Sequence, residues 1–326
     1  MPVKPYLLLP GSPCSMTEVP DNGTRPQDIN RGIALIVTGL LIIPSIDAIA
    51  KYLADSIPPL QITWARFVFQ SILMAAIVLL HKSPVALIPK RPIIQLIRGL
   101  LLALATLIFF WGLKYLPIAD AIAIFFIQPL ILTLFSAIFL GEQVGWHRRI
   151  AVVAGFVGAL VIIQPGSSGF HVATVLPVLT AIFFAGYMTL TRATAGHDTA
   201  ETAQFAAGVG ALVILSVVLL LCSLTPYESL HPVTPDLAEW GWLALLGVIA
   251  AFCHLLVVKA MELAPASVLA PFAYTEFIGA TLLGWMIFND IPTWKTWTGA
   301  AIIIASGLYV FIRERRLNTA NVTEPM

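Results

Sequence analysis

Residues 263–290 read LAPASVLAPFAYTEFIGATLLGWMIFND. From Ala266 to Phe288 the run is long and apolar enough to cross a bilayer, which takes a helix of roughly 20 mostly apolar residues. Glu276 stands at its centre, since the middle of a 266–288 span is residue 277. A charged group at that depth costs about 3 kcal/mol on insertion scales, so a carboxyl there is first read as functional. It can take up and release a proton, or hold a cationic part of a substrate. A protonated side chain hydrogen-bonded to a neighbouring helix is the structural alternative.

The same texture extends outward through the chain. Of 326 residues, 59% are hydrophobic and 11% charged, with mean hydropathy +0.91. A soluble domain carries about 25% charged residues, so the composition is that of an all-α polytopic membrane protein. Ten spans are expected, at 32–53, 60–80, 94–115, 118–140, 147–164, 173–192, 201–222, 239–261, 266–288 and 296–313. The segments between them, among them SIPPL, LPIAD, QPGSSGF and NDIPTW, have the Gly, Pro, Asn and Asp content of turns. Residues 1–31 and 314–326 read as tails, and the first of these lacks the basic start and apolar stretch of a signal peptide.

Basic residues orient the spans, because cytoplasmic loops carry the excess of Lys and Arg. With the N-terminus inside, 14 of the 18 basic residues face the cytoplasm, while Lys51, Lys114 and Lys295 face out and Arg66 lies within a span. Both termini are therefore expected in the cytoplasm. A net charge of +1 gives no footprint for nucleic acid. Cys14, Cys222 and Cys253 are scattered without metal-ligand spacing, and no cofactor-binding motif is present. The expected partners are a small-molecule substrate and the lipid bilayer, with no cofactor and no metal. Oligomeric state is not legible, although AGFVGA at 154–159 permits close helix packing.

The two halves echo one another. Pro117, Gln128, Glu142 and Trp146 recur 148 residues later as Pro265, Glu276, Asp290 and Trp294. Each half holds five spans, and because five is odd the second half enters the membrane from the opposite side. The expected architecture is thus two inverted five-helix repeats, 32–164 and 173–313, joined by an external linker at 165–172. Inverted repeats are characteristic of secondary transporters, whose sites lie near the midplane at the repeat interface.

The stretches RGLLLALATLIFFWGLKYLPIADAIAIFFIQPLILTLFSAIFLGE at 98–142 and LAPASVLAPFAYTEFIGATLLGWMIFND at 263–290 resemble the EamA repeats of the drug/metabolite transporter superfamily. The resemblance covers about residues 32–313. Within that superfamily the chain is similar to bacterial permeases for S-adenosylmethionine and riboflavin uptake, and more distantly to amino-acid exporters. This implies a proton-linked or exchange-type carrier of organic metabolites in the bacterial cytoplasmic membrane. Asp290 stands where the family pattern usually has Glu.

Besides Glu276, the expected site takes in Gln128, at the matching depth of the other half, and His254, which matches Thr106 at the same offset. A histidine can relay a proton or hydrogen-bond a ring, and a structural histidine is the alternative. Tyr274, Tyr187 and Trp111 are candidates for lining a cavity that takes a planar heterocycle, although the interfacial aromatic belt also accounts for Trp111. Asp47 and Lys51 are spaced i, i+4, as are Arg66 and Gln70. Asp47 and Arg66 are read either as a possible outer gate or as structural pairing. Asp120 is expected to act at a helix N-terminus. Spans three, four, eight and nine are expected to line the cavity.

Export is the alternative direction to uptake. An intramembrane enzyme is the distant alternative: GSSG at 166–169 matches the Gly-x-Ser-Gly of rhomboid-like proteases, with Ser168 as nucleophile and His254 as base. Gly-Ser is ordinary linker composition, and no catalytic residue is assigned.

Overall fold

The computed structural model describes residues 26–81, 84–140, 145–166, 171–194, 198–226, 231–264 and 266–323. Its regular elements are all helical: α1 (Pro26–Leu53), α2 (Pro59–His81), α3 (Pro92–Leu113), α4 (Ile118–Phe125), α5 (Gln128–Leu140), α6 (Trp146–Ile163), α7 (Val175–Ala193), α8 (Ala200–Ser223), α9 (Leu237–Leu263), α10 (Ala266–Leu269), α11 (Glu276–Phe288) and α12 (Trp294–Thr323). Eight described segments are long and apolar enough to cross a membrane, with α4 and α5 counted together as Ile118–Phe139. Four of these helices, α1, α2, α3 and the α4 segment, start at or directly after a proline, where the missing N–H costs nothing. Asp236 and Glu239 form a reciprocal capping box at the start of α9.

Two expected spans are not continuous helices. Span 118–140 stops at Phe125 and restarts at Gln128 as α5. Pro129, the second residue of α5, has no N–H to donate, and its ring crowds the carbonyl four residues back. Span 266–288 is α10, then a 3₁₀ segment (Ala270–Thr275) containing Pro271, then α11. Gln128 and Glu276 are each the first residue of a 13-residue half-helix. The two breaks touch: the rings of Phe126 and Tyr274 meet edge-on, with centroids 5.2 Å apart.

Helix packing follows a paired scheme. α1 lies against α9 and α11, and α7 lies against α3 and α5; α2 packs on α9, and α8 on α3; α2 meets α8, and α6 meets α12. Glycines set the closest approaches. A Cβ added at Gly99 of α3 would lie 2.5 Å from the Ala207 carbonyl oxygen and 2.6 Å from the Ala211 amide nitrogen of α8. One added at Gly247 of α9 would lie 3.1 Å from the Arg66 carbonyl oxygen and 3.2 Å from the Gln70 amide nitrogen of α2. Gly247 follows Gly99 by the same 148 residues that separate Gln128 from Glu276. A third approach, between Gly158 of α6 and Gly299 of α12, brings each glycine onto the other's carbonyl oxygen.

Candidate functional site

The packing of α9 onto α2 through Gly247 presses the Arg66–Gln70 turn into the protein. Arg66 is 9% exposed and Gln70 2%. Arg66 Nη1 donates to Thr106 Oγ1 of α3 at 2.7 Å, and its guanidinium lies 5.3 Å from the ring centroid of Phe67 and 5.9 Å from that of Phe110. Arg66 Nε, Gln70 Oε1 and Ser71 Oγ are buried with no hydrogen-bond partner.

Asp47, on α1, is 6% exposed and close enough to interact electrostatically with both Arg66 and Glu276. Glu276 is half-buried at the start of α11. His254 and Cys253, on α9, lie within the field of Arg66, and Cys253 also within that of Glu276. His254 Nδ1 sits 2.8 Å from the Ala250 carbonyl oxygen. A carbonyl only accepts, so Nδ1 carries the proton and Nε2 of the neutral ring is an acceptor. The structure therefore brings Asp47, Arg66, His254 and Glu276 together. These side chains come from α1, α2, α9 and α11, whereas spans one and two were expected to supply a gate or a structural pair rather than to line the cavity.

The other expected residues are placed as follows. Gln128 is half-buried at the break between α4 and α5. Tyr274 packs on Phe126, and its hydroxyl occupies the space where a side chain on Gly307 of α12 would be. Tyr187, 4% exposed, donates to Gln204 Oε1 at 2.9 Å and interacts electrostatically with Arg66. Trp111 is 44% exposed near the end of α3. It makes no hydrogen bond or ring contact among the described residues, and the structure does not bring it to the cluster. Ser168 and the GSSG tetrapeptide beyond Gly166 lie outside the described residues.

Two polar networks flank the cluster. One, missed from sequence, surrounds Arg98, which is 2% exposed although it was counted among the charges on the cytoplasmic side. Its Nε donates to Thr191 Oγ1 at 3.1 Å, Nη2 to Tyr187 Oη at 3.4 Å and Nη1 to Gln95 Oε1. Gln95 Nε2 in turn donates to Asp198 Oδ2 at 3.1 Å. The available signal was Gln95 and Arg98 at i, i+3 on an otherwise apolar helix. The second network joins the far ends of α1, α11 and α12. Lys51 Nζ donates to Asp290 Oδ2 at 2.7 Å and to the Leu116 carbonyl oxygen at 2.9 Å. Its partner is thus 239 residues away rather than Asp47 one turn back. Thr296 Oγ1 donates to Asp120 Oδ1 at 2.8 Å, and Lys295 Nζ donates to Gln164 Oε1.

Apolar helices that enclose a buried polar cluster, with lipid-length spans on its flanks, define a multi-pass membrane protein. The chain belongs to the EamA-like transporter family, which it matches over residues 30–164 and again over 172–312. It is 32% identical over 223 residues to a riboflavin transporter of Vibrio cholerae, covering 66% of this chain and 70% of that one. It is 27% identical over 285 residues to an S-adenosylmethionine uptake transporter of Rickettsia bellii, covering 87% and 94%. A pseudopaline exporter of Pseudomonas aeruginosa is 26% identical over 280 residues, covering 85% and 95%. A crystal structure superposes with a TM-score of 0.59 at 21% identity, over 88% of this chain and 99% of its own, a likeness of fold alone.

Proposed function

We propose that the chain is a secondary transporter in the cytoplasmic membrane of a bacterium, moving a small organic metabolite by alternating access. Ten spans form two inverted five-helix repeats with both termini in the cytoplasm, and the substrate binds between them. The observation that carries this reading is the twin helix break. Gln128 and Glu276 head half-helices of equal length, 148 residues apart, and the preceding segments meet through Phe126 and Tyr274. Discontinuous helices at a repeat interface are where such carriers hold substrates and coupling ions. The paired packing of α1 on α9 and α7 on α3, the recurring glycine contacts and the double family match support the same symmetry.

Glu276 serves as the proton-coupling or substrate-binding group, with Gln128 opposite it and His254 beside it; Tyr187 and Tyr274 line the approach. Uptake of a heteroaromatic vitamin or a nucleoside-like compound is the favoured direction and class, supported by relatives named for riboflavin and S-adenosylmethionine. Export is the second reading, favoured by the relative named as an exporter. A radiolabelled screen with riboflavin, S-adenosylmethionine and aromatic amino acids in cells expressing the chain tests this. Saturable accumulation above the empty-vector level is expected for at least one compound. Accumulation of none refutes the uptake reading and favours export.

A further inference from the structure

Arg66 has more hydrogen-bonding capacity than the fold uses. It is nine-tenths buried, its hydrogen bond is to a threonine hydroxyl, and its Nε has no partner. Among the described residues no carboxylate lies within ion-pairing distance of it. One turn along the same helix, Gln70 Oε1 is also buried and unpartnered. The buried Asp47 and half-buried Glu276 receive no hydrogen bond from any described residue, although Asp47 lies within electrostatic range of both Arg66 and Glu276. Buried charges left without partners are expensive. The α2 backbone cannot back away, because α9 bears on the Arg66 carbonyl oxygen through Gly247.

Three classes of ligand can be weighed against this arrangement. A neutral heterocycle calls for hydrogen bonds and an aromatic face and leaves all three ionisable groups unmet. A simple cation satisfies the carboxylates but is repelled by Arg66. A ligand with an anionic and a cationic group a few atoms apart satisfies both signs at once. We propose that Asp47, Arg66 and Glu276 form a subsite for a zwitterionic head group of the α-amino-acid type. The Nε edge of Arg66 receives the carboxylate, as guanidinium geometry favours. Asp47 and Glu276 receive the ammonium, and Gln70 Oε1 accepts a further N–H. Arg66 is thereby the residue that sets specificity. This rests on the carrier reading above and narrows its substrate class to compounds that carry such a head, whatever ring is attached.

The test is binding to the full chain in detergent micelles, read by thermal shift and calorimetry. The probes are S-adenosylmethionine, 5′-methylthioadenosine (the same ring system without the amino-acid head), riboflavin, and phenylalanine paired with phenethylamine. Head-bearing compounds are expected to bind, and removing the head or its carboxylate is expected to weaken binding about 100-fold, as for loss of one partner of a buried charge pair. Arg66→Lys keeps the charge and loses the fork, so it is expected to weaken head-bearing ligands at least tenfold. The wild-type ligand series carries the test on its own if that variant does not fold. Equal binding of the headless compounds, or Arg66→Lys binding at wild-type strength, overturns the subsite. So does a folded protein that binds no head-bearing probe. Vesicle transport of riboflavin without zwitterion binding overturns the subsite and leaves the carrier reading standing. Zwitterion binding without transport of any probe in either direction does the reverse.

Discussion

Gly99→Ala puts a number on the approach of α3 to α8. The added Cβ would lie 2.5 Å from the Ala207 carbonyl oxygen, 2.6 Å from the Ala211 nitrogen and 2.9 Å from the Gly210 carbonyl carbon. Ordinary contact begins at 3.4 Å, so the nearest atom must recede by the difference between 3.4 and 2.5, or 0.9 Å. All three atoms are backbone, and no side chain can rotate out of the way. Overpacking of this kind costs about 1–3 kcal/mol, offset by up to about 1 kcal/mol of helix propensity gained on replacing glycine. The neighbouring Arg98 contacts to Thr191 and to the Ala203 carbonyl oxygen lengthen as the helices part. Thermal unfolding in detergent, followed by tryptophan fluorescence, is expected to fall by roughly 2–8 °C. Gly241→Ala, on α9 with nothing within 4 Å of its added Cβ, is the control and is expected to hold or rise. A Gly99→Ala protein that melts with or above the wild type refutes the close approach.

Other substitutions probe the two flanking networks. Lys51→Met strands the Asp290 carboxylate and the Leu116 carbonyl and is expected to cost about 1–3 kcal/mol; the exchanged pair Lys51→Asp with Asp290→Lys is expected to recover part of the lost melting temperature. Arg98→Met leaves Gln95, Thr191 and Tyr187 without their shared partner, with an expected loss of about 2–3 kcal/mol in the same assay. Tyr187→Phe removes the donor to Gln204 Oε1 and is expected to cost about 1 kcal/mol. A melting temperature for Tyr187→Phe lower than that for Arg98→Met would contradict the ranking.

The helical, membrane-crossing class of the chain follows from composition, because lipid leaves few ways to satisfy a backbone. The match of Glu276 to Gln128 was legible too, since a constant offset of 148 residues pairs them, and each begins a 13-residue half-helix. The breaks were not read, although Pro129 and Pro271 marked them: proline in a membrane helix can be absorbed as a kink, so the residue alone does not say that the helix stops. Which charges meet depends on helix rotation and on partners far apart in the chain. Asp47 and Lys51 sit one turn apart, yet Lys51 reaches Asp290; Asp47 interacts electrostatically with Arg66, with which it was also read, and with Glu276, which spacing along one helix could not reveal. Arg98 was read as a cytoplasmic-side charge near the end of span 94–115, and only the packing of α7 and α8 over it shows that it is buried.

The central claim is that the carboxyl at the second break works in transport. Glu276→Gln keeps the shape and removes the ionisable group, and rates can be measured in proteoliposomes across pH with whichever compound the uptake screen identifies. A steep loss of rate, with the pH dependence of the wild type abolished, is the predicted result. Transport at the full rate with unchanged pH dependence contradicts it.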